Sequence, residues 1–431
     1  MNTSSTIFKP IKRLLVHRTL CTGLKIEVGE IAQNSQGIFF QYSDAYLKSS
    51  HSLSPFHLTL SNTLQLAAKQ SHNGLHGAFS DSLPDGWGTL LMDKIMRQHG
   101  ILPNQLTPLD RLAYVADKAI GALSYTPASR YLPENQAVLE IQQLAKEALM
   151  VFDGNTDHVL AQLANAGSSG GARPKAHIYI QEKQQTKISA VPKKEFDPWL
   201  IKFTSASLAL GHEESLCEAA YLTLAKNAGI NVPQWQLIEA DNKSQAVAWL
   251  ALKRFDCTQD GGRYHMQSAS GLLNTDFRQP SLDYQDLIKA GQILCNKPAV
   301  GQEMFRRAVF NLFAANQDDH SKNWAFLMDD NGHWQPSPFY DVTFSPTPYN
   351  EHSTAFNGYG KQPTLKAMQG LAAQANFSNW QQAQTVIKEV LDAIQGFDKT
   401  AKELGVKADI RKLITQYLES IRQDNKALMM A

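Results

Sequence analysis

Apolar and polar positions alternate in short runs near the start of the chain. GIFFQY at 37–42 and IGALSY at 120–125 predict strands, and the stretch from Thr22 to Tyr125 predicts a mixed α/β module with a helix or two. A Pro-bearing polar stretch from Pro127 to Asn135 reads as a linker into a helix over 136–150. A helix around 156–165, a Gly/Ser-rich turn at 167–171 and the strands HIYI at 177–180 and WLIKF at 199–203 follow. The next helix is punctuated: Ser215 can cap it, Glu218 stands three residues on as in a capping box, and Gly229 suits its C-terminal end. Two more strand-like runs, QLIEA at 236–240 and AVAWLALKRF at 246–255, precede a mainly helical pattern from Tyr284 onward. One polar segment at 317–345 interrupts that pattern, and no internal repeat is visible.

Length and composition sharpen this picture. A chain of 431 residues can bury two substantial cores. With 43% hydrophobic and 19% charged residues and a net charge of +1, it reads as a soluble globular protein with no bulk pull toward nucleic acid. Cys21, Cys217, Cys257 and Cys295 form no CxxC pair, which argues against a zinc site or a disulfide framework. No stretch approaches the roughly 20 apolar residues of a membrane span, so no membrane partner and a cytoplasmic location are expected.

GSSGGARPK at 167–175 is a loop whose glycines let the backbone approach a phosphate and aim N–H donors at it; a plain surface turn is the alternative. An ATPase P-loop needs GK[ST] opening a helix, whereas Pro174 and Lys175 run straight into HIYI. Gly167, Ser169 and Gly171 also fit the hydrolase GxSxG, with Asp318 or Asp319 and His320 completing the triad order. A nucleophile elbow, however, lies between a strand and a helix, and this loop lies between a helix and a strand. A glycine loop, two strands with a lysine on the second, then a helix bearing a glutamate is the order of a kinase small lobe. Lys202 takes the lysine place, flanked by Leu200, Ile201 and Phe203, and Glu218 takes the partner place, where a capping role competes.

The segment 310–345 supplies the remaining chemistry. Asp330, Asn331 and Gly332 suit a hairpin turn. Phosphoryl transfer needs a carboxylate beside the incoming hydroxyl and oxygen ligands that hold Mg²⁺. Asp318, Asn323 five residues later and Asp341 beyond the hairpin provide that set in the spacing of HRDxxxxN. His320 follows its aspartate and no DFG appears, which excludes an ordinary eukaryotic-type protein kinase. A solvated polar turn is the bland alternative.

SDSLPDGWG at 80–88, AIGALSY at 119–125, GGARPK at 170–175, LIKF at 200–203, CEAAYLTLAKNAGINVP at 217–233, KRFD at 253–256, NQDDHSKNW at 316–324 and PFYDVTFS at 338–345 together resemble the HipA family, in its order, over about residues 22–425. The resemblance implies an α+β, two-lobed protein-kinase-like fold. Its parts would be an N-terminal α/β subdomain at 1–130, a small lobe with glycine loop and hinge at 131–256, and a mainly helical large lobe at 257–431. It implies a serine/threonine protein kinase using ATP and Mg²⁺, the toxin of a type II toxin-antitoxin pair, with Asp318 as catalytic base and His320 and Lys322 as positioning or phosphate-contacting groups. Asn323 and Asp341 would hold Mg²⁺; Ser168, Ser169, Gly170, Gly171, Ala172, Lys202, Lys253 and Phe255 would contact ATP, and Glu218 would orient Lys202. Autophosphorylation is implied at Ser168, with Ser169 adjacent, and would shut the enzyme down because the added charge cannot share the site with ATP phosphates. The implied partners are a HipB-like helix-turn-helix antitoxin, operator DNA through that antitoxin, and a protein substrate such as an aminoacyl-tRNA synthetase. Arg173 and Pro174 stand where some members have Gln and Glu, and Lys253 where the hinge often has Glu, departures that bear on nucleotide grip. A catalytically weak co-repressor and a small-molecule kinase are the competing readings.

Overall fold

A computed structural model describes residues 8–48, 50–133, 140–159, 163–164, 170–181, 188–189, 192–241 and 244–429. They fall into two compact units, one of residues 1–198 with 256–265 and 330–332, the other of 199–255 with 266–329 and 333–431.

The first unit is built on an antiparallel sheet of β1 (Arg13–Thr19), β2 (Lys25–Gln33), β3 (Ile38–Tyr42), β4 (Gln65–Leu66) and β5 (Leu123–Thr126), in the order β4-β3-β2-β1-β5. β1 lies ahead of the expected start at Thr22. Its alternation is hard to read because the inward positions are Leu14, Val16 and Arg18, and a buried arginine breaks the apolar pattern. The Arg18 guanidinium lies 3.4 Å from the Asp330 carboxylate, which also accepts the Cys21 N–H at 2.9 Å, so Asp330 does more than turn a hairpin. Val16, Val28, Phe40, Phe79 and Tyr125 meet in one core. The helices are α1 (Asp44–Leu47), α2 (Gly77–Ser80), α3 (Gly86–Gln98), α4 (Pro108–Val115) and α5 (Ile141–Phe152), followed by β6 (Lys175–Ile180) and β7 (Ile188–Ser189). Residues 134–139, 160–162 and 165–169, on which parts of the expected linker, helices and glycine loop fall, lie outside the described residues.

In the second unit β8 (Asp197–Lys202), β10 (Ala248–Lys253) and β9 (Trp235–Glu239) pair antiparallel, with Leu250 opposite Lys202. Between β8 and β9 runs α6 (Glu214–Asn227). It starts one residue before the expected cap, directly from the turn Gly211–Glu213, so Ser215 lies inside the helix and its hydroxyl accepts the Leu250 N–H at 3.1 Å. Gly229 ends the helix at φ +74°, a conformation that a Cβ would strain. After β11 (His265–Ser268) come α7 (Ala269–Leu273), β12 (Leu282–Asp283), α8 (Tyr284–Cys295) and α9 (Ala299–Phe313). The hairpin of β13 (Ala325–Met328) and β14 (Trp334–Pro336) and the short β15 (Thr354–Ala355) follow. The chain then turns helical in α10 (Leu365–Gln374), α11 (Trp380–Gln395), α12 (Phe397–Glu403) and α13 (Ala408–Asp424). Among the described residues no helix is long and apolar enough to cross a membrane.

Candidate active site

Lys202 ends β8 with its ammonium buried among carboxylates. Its Nζ donates to Glu218 at 2.6 Å and to Asp341. Glu218 is 4% exposed on a helix buried along most of its length, so its carboxylate serves the lysine rather than a helix cap. Burial pulls the Lys202 ammonium toward neutrality, but the charges of Asp341 and Glu218 outweigh it and hold the pKa above the ordinary lysine value. The lysine therefore stays cationic.

Asp341 has φ +52° on a non-glycine residue, a strained placement of the kind that recurs where a side chain must be aimed. Its loop is stitched to the Asp318 loop. Asn316 and Ser345 form a parallel bridge, the Asp318 N–H donates to Ser345 Oγ at 3.2 Å, and the Tyr340 hydroxyl donates to the Lys322 carbonyl at 2.7 Å. Asn323 turns its amide nitrogen to the Asp318 carbonyl at 2.7 Å, which leaves the amide oxygen facing away from that bond. Asp318 itself is exposed, and His320 Nε2 stands 3.7 Å from its carboxylate. An exposed carboxylate can take a proton from an arriving hydroxyl.

His320 Nδ1 is buried with no hydrogen-bond partner among the described residues, and its ring meets Phe277 edge-on at 5.5 Å. Lys322 Nζ stands 4.5 Å above the same Phe277 ring, a cation–π contact. Beneath the loop lies a residue that sequence spacing does not reveal as a hub. Asp319 is buried and accepts the Tyr284 hydroxyl and the Thr354 N–H at 3.1 Å, with His352 Nδ1 at 2.9 Å from its carboxylate. Asn311 extends this chain by donating to the Tyr284 hydroxyl at 2.8 Å and accepting from Asn316 at 2.7 Å.

Two carboxylates around one ammonium leave a net negative cluster, and Asp341 and Asn323 offer hard oxygen donors of the kind that suits a divalent cation such as Mg²⁺. Lys253 closes β10 with its N–H given to the Gln234 carbonyl at 2.8 Å, and Phe255 packs on Tyr340 with ring centroids 5.5 Å apart.

Gly170, Gly171 and Ala172 belong to the first unit, where they lead into β6; Ser168 and Ser169 lie outside the described residues. Lys175 opens that strand and turns its ammonium onto the Gly170 carbonyl at 2.6 Å. A loop leading into a strand matches neither a P-loop nor a nucleophile elbow. The first unit thus carries the described glycines, and the second carries Lys202, Glu218, Lys253, Phe255, Asp318, His320, Lys322, Asn323 and Asp341.

A buried lysine–glutamate pair between a strand and a helix, with the Asp318–Asn323 loop tied to the loop of Asp341, goes with an α+β protein-kinase-like fold. The family profile described as the HipA-like C-terminal domain matches residues 167–401, and that of the HipA N-terminal domain matches 24–126. The chain belongs to the HipA family. It is 30% identical over 196 residues to "Putative kinase Y4dM" of Sinorhizobium fredii, covering 42% of this chain and 46% of that protein. It is 22% identical over 313 residues to the serine/threonine-protein kinase toxin HipA of Shewanella oneidensis, covering 66% of each. The matches thus span about half to two thirds of these relatives' own lengths. A solved complex of the Shewanella oneidensis MR-1 toxin-antitoxin system, HipA with HipB and its operator DNA, shares the fold at a TM-score of 0.67 and 16% identity, over 95% of this chain and 96% of the solved one.

Proposed function

We propose that the chain is an ATP- and Mg²⁺-dependent serine/threonine protein kinase acting as a toxin. The observation that carries this reading is the Lys202 ammonium shared by Glu218 and Asp341, in a loop pair that also holds Asp318 and Asn323. Lys202 grips nucleotide phosphates while Glu218 fixes its direction. Asp318 accepts the proton of a protein hydroxyl as that oxygen bonds to the γ-phosphorus; the bond from phosphorus to the β–γ bridging oxygen breaks, and ADP departs. Bound Mg²⁺, held by Asp341 and Asn323, would neutralise phosphate charge. His320 and Lys322 line the same loop as phosphate-contacting groups.

Within this reading residues 1–130 form an N-terminal subdomain, 131–256 the small lobe and 257–431 the large lobe. The glycine loop 168–172 contributes phosphate contacts, Lys253 and Phe255 lie at the adenine hinge, and Ser168 is the autophosphorylation site. The solved complex with HipB and operator DNA supports an antitoxin and, through it, DNA as partners; that the antitoxin is of the helix-turn-helix kind and that the chain acts in the cytoplasm follow from the family resemblance alone. The protein substrate is a second protein's serine, an aminoacyl-tRNA synthetase being the example the family resemblance suggests.

The test is incubation of the purified chain and its Asp318→Asn variant with radiolabelled ATP and Mg²⁺, then peptide mapping and intact mass. Label or one added phosphate on the wild type alone, at Ser168 or Ser169, is expected. Neither label nor added mass on the wild type defeats the kinase reading.

A further inference from the structure

The run Ser80–Gly88 takes no part in the chemistry around Lys202, yet Ser82, Asp85 and Trp87 are buried. Within the first unit its Asp85–Trp87 turn sits directly on the glycine loop. The Asp85 carboxylate accepts the Gly171 N–H. The Trp87 N–H donates to the Gly171 carbonyl at 3.0 Å, and its indole N–H donates to the Lys175 carbonyl at 2.8 Å. Lys175 Nζ closes the base of the loop on the Gly170 carbonyl at 2.6 Å. Four backbone groups of residues 170–175 are thereby held, and three of them by residues nearly ninety positions upstream, by the separations of 84 to 88 that these pairs span.

Asp85 stands at the N-cap position of α3 but makes no side-chain cap to that helix. A purely structural aspartate there would turn back to its own first-turn N–H groups. This one turns outward to the loop instead. Gly86 adopts φ +37°, and a Cβ on it would lie 2.7 Å from both the Ala172 Cα and the Gly171 carbonyl oxygen. Only a residue without a side chain lets the two backbones approach this closely.

We propose that the Asp85–Trp87 turn is the seat of the phosphate loop, and that Asp85 is a positioning residue which fixes Gly170–Ala172 in the shape that receives ATP phosphates. The inference rests on the kinase reading. A glycine-rich segment left free loses backbone entropy on gripping a ligand, and one already anchored loses less, so the anchor acts on nucleotide affinity. The Gly171 N–H, given to Asp85, shapes the loop and leaves phosphate contact to its other amides.

Equilibrium binding of a fluorescent ATP analogue with Mg²⁺, alongside KM for ATP and kcat, is measured on the full chain, its Asp85→Ala, Asp85→Asn and Gly86→Ala variants. Asp85→Ala and Gly86→Ala are expected to weaken nucleotide binding by about 10-fold with kcat at saturating ATP within about 2-fold, the pattern of lost preorganisation. Asp85→Asn keeps an oxygen for the Gly171 N–H and recovers most of the affinity. Hydrogen exchange in the 170–175 peptide rises in Asp85→Ala before nucleotide is added, which general unfolding would spread across the unit. Should Asp85→Ala not fold, Gly86→Ala, changed at an exposed position, decides alone. A wild type that binds ATP while folded Gly86→Ala and Asp85→Ala bind equally well overturns the seat. A wild type that binds no ATP overturns the kinase reading and the seat together.

Discussion

The ammonium of Lys202 joins a strand, a helix and a loop through two carboxylates. Its raised pKa means its stabilisation is fully present below the ordinary lysine value of 10.5 and is lost as pH rises through the higher folded value. Glu218→Gln removes one of the charges that raise it. Unfolding in urea should then show a loss of about 1.5–3 kcal/mol, the worth of a hydrogen bond to a charged group. The alkaline limb of stability, which starts at the unfolded value, should also end at lower pH. An unchanged midpoint and limb would mean Asp341 alone suffices. Local spacing singles out Lys202, Asp318, Asn323 and Asp341, and the fold brings Lys202 to Asp341 and Asn323 to the Asp318 carbonyl. Glu218 was ambiguous, since Ser215 and Glu218 also spell a capping box, and only the burial of α6 decides between cap and partner.

The elements around the site are held by contacts that no spacing encodes. Tyr284 and His352 reach Asp319 across 35 and 33 residues, so a doublet of aspartates reads in sequence as redundancy and in the fold as two jobs, one exposed and one buried. Asp319→Asn leaves the start of α8 and the 352–354 segment without the carboxylate they share. Thermal and urea unfolding should show a cost of about 3–5 kcal/mol, the usual penalty for breaking a buried charge network. Tyr284→Phe, which loses the bond to Asp319 and the one from Asn311, should cost about 2 kcal/mol. Equal effects of the two would argue that Asp319 is not the hub. β1 escaped prediction for a related reason: Arg18 points inward because Asp330, more than three hundred residues on, answers it.

For the molecule as a whole, the first unit carries an acid sensitivity. Burial is the main cause that lowers His265 to about 3 and His76 to about 4, from an ordinary 6.5; each ring Nε2 meets a backbone carbonyl, that of Leu53 at 2.8 Å and of Gln65 at 3.1 Å. Their folded values lie below the unfolded one, so between pH 6.5 and about 4 the unfolded chain binds more protons and stability falls as pH falls. The slope approaches about 1.4 kcal/mol per pH unit for each histidine. Melting temperatures from pH 7 to 5 should fall accordingly, and His265→Gln should flatten the decline; an equal slope in the variant would exclude that residue. The order of motifs along the chain made the kinase-like architecture legible. The meeting of Asp85 with Gly171 was not, because it joins a helix start to a loop through backbone groups that every residue carries.

The left-handed backbone at Asp341 has a consequence for descent. Glycine and asparagine adopt that geometry readily, and each is one base change from an aspartate codon. Drift at this codon therefore offers a duplicated copy of the gene a short path to a well-folded protein without its carboxylate, so intact folding in a relative is no guarantee that its chemistry survives.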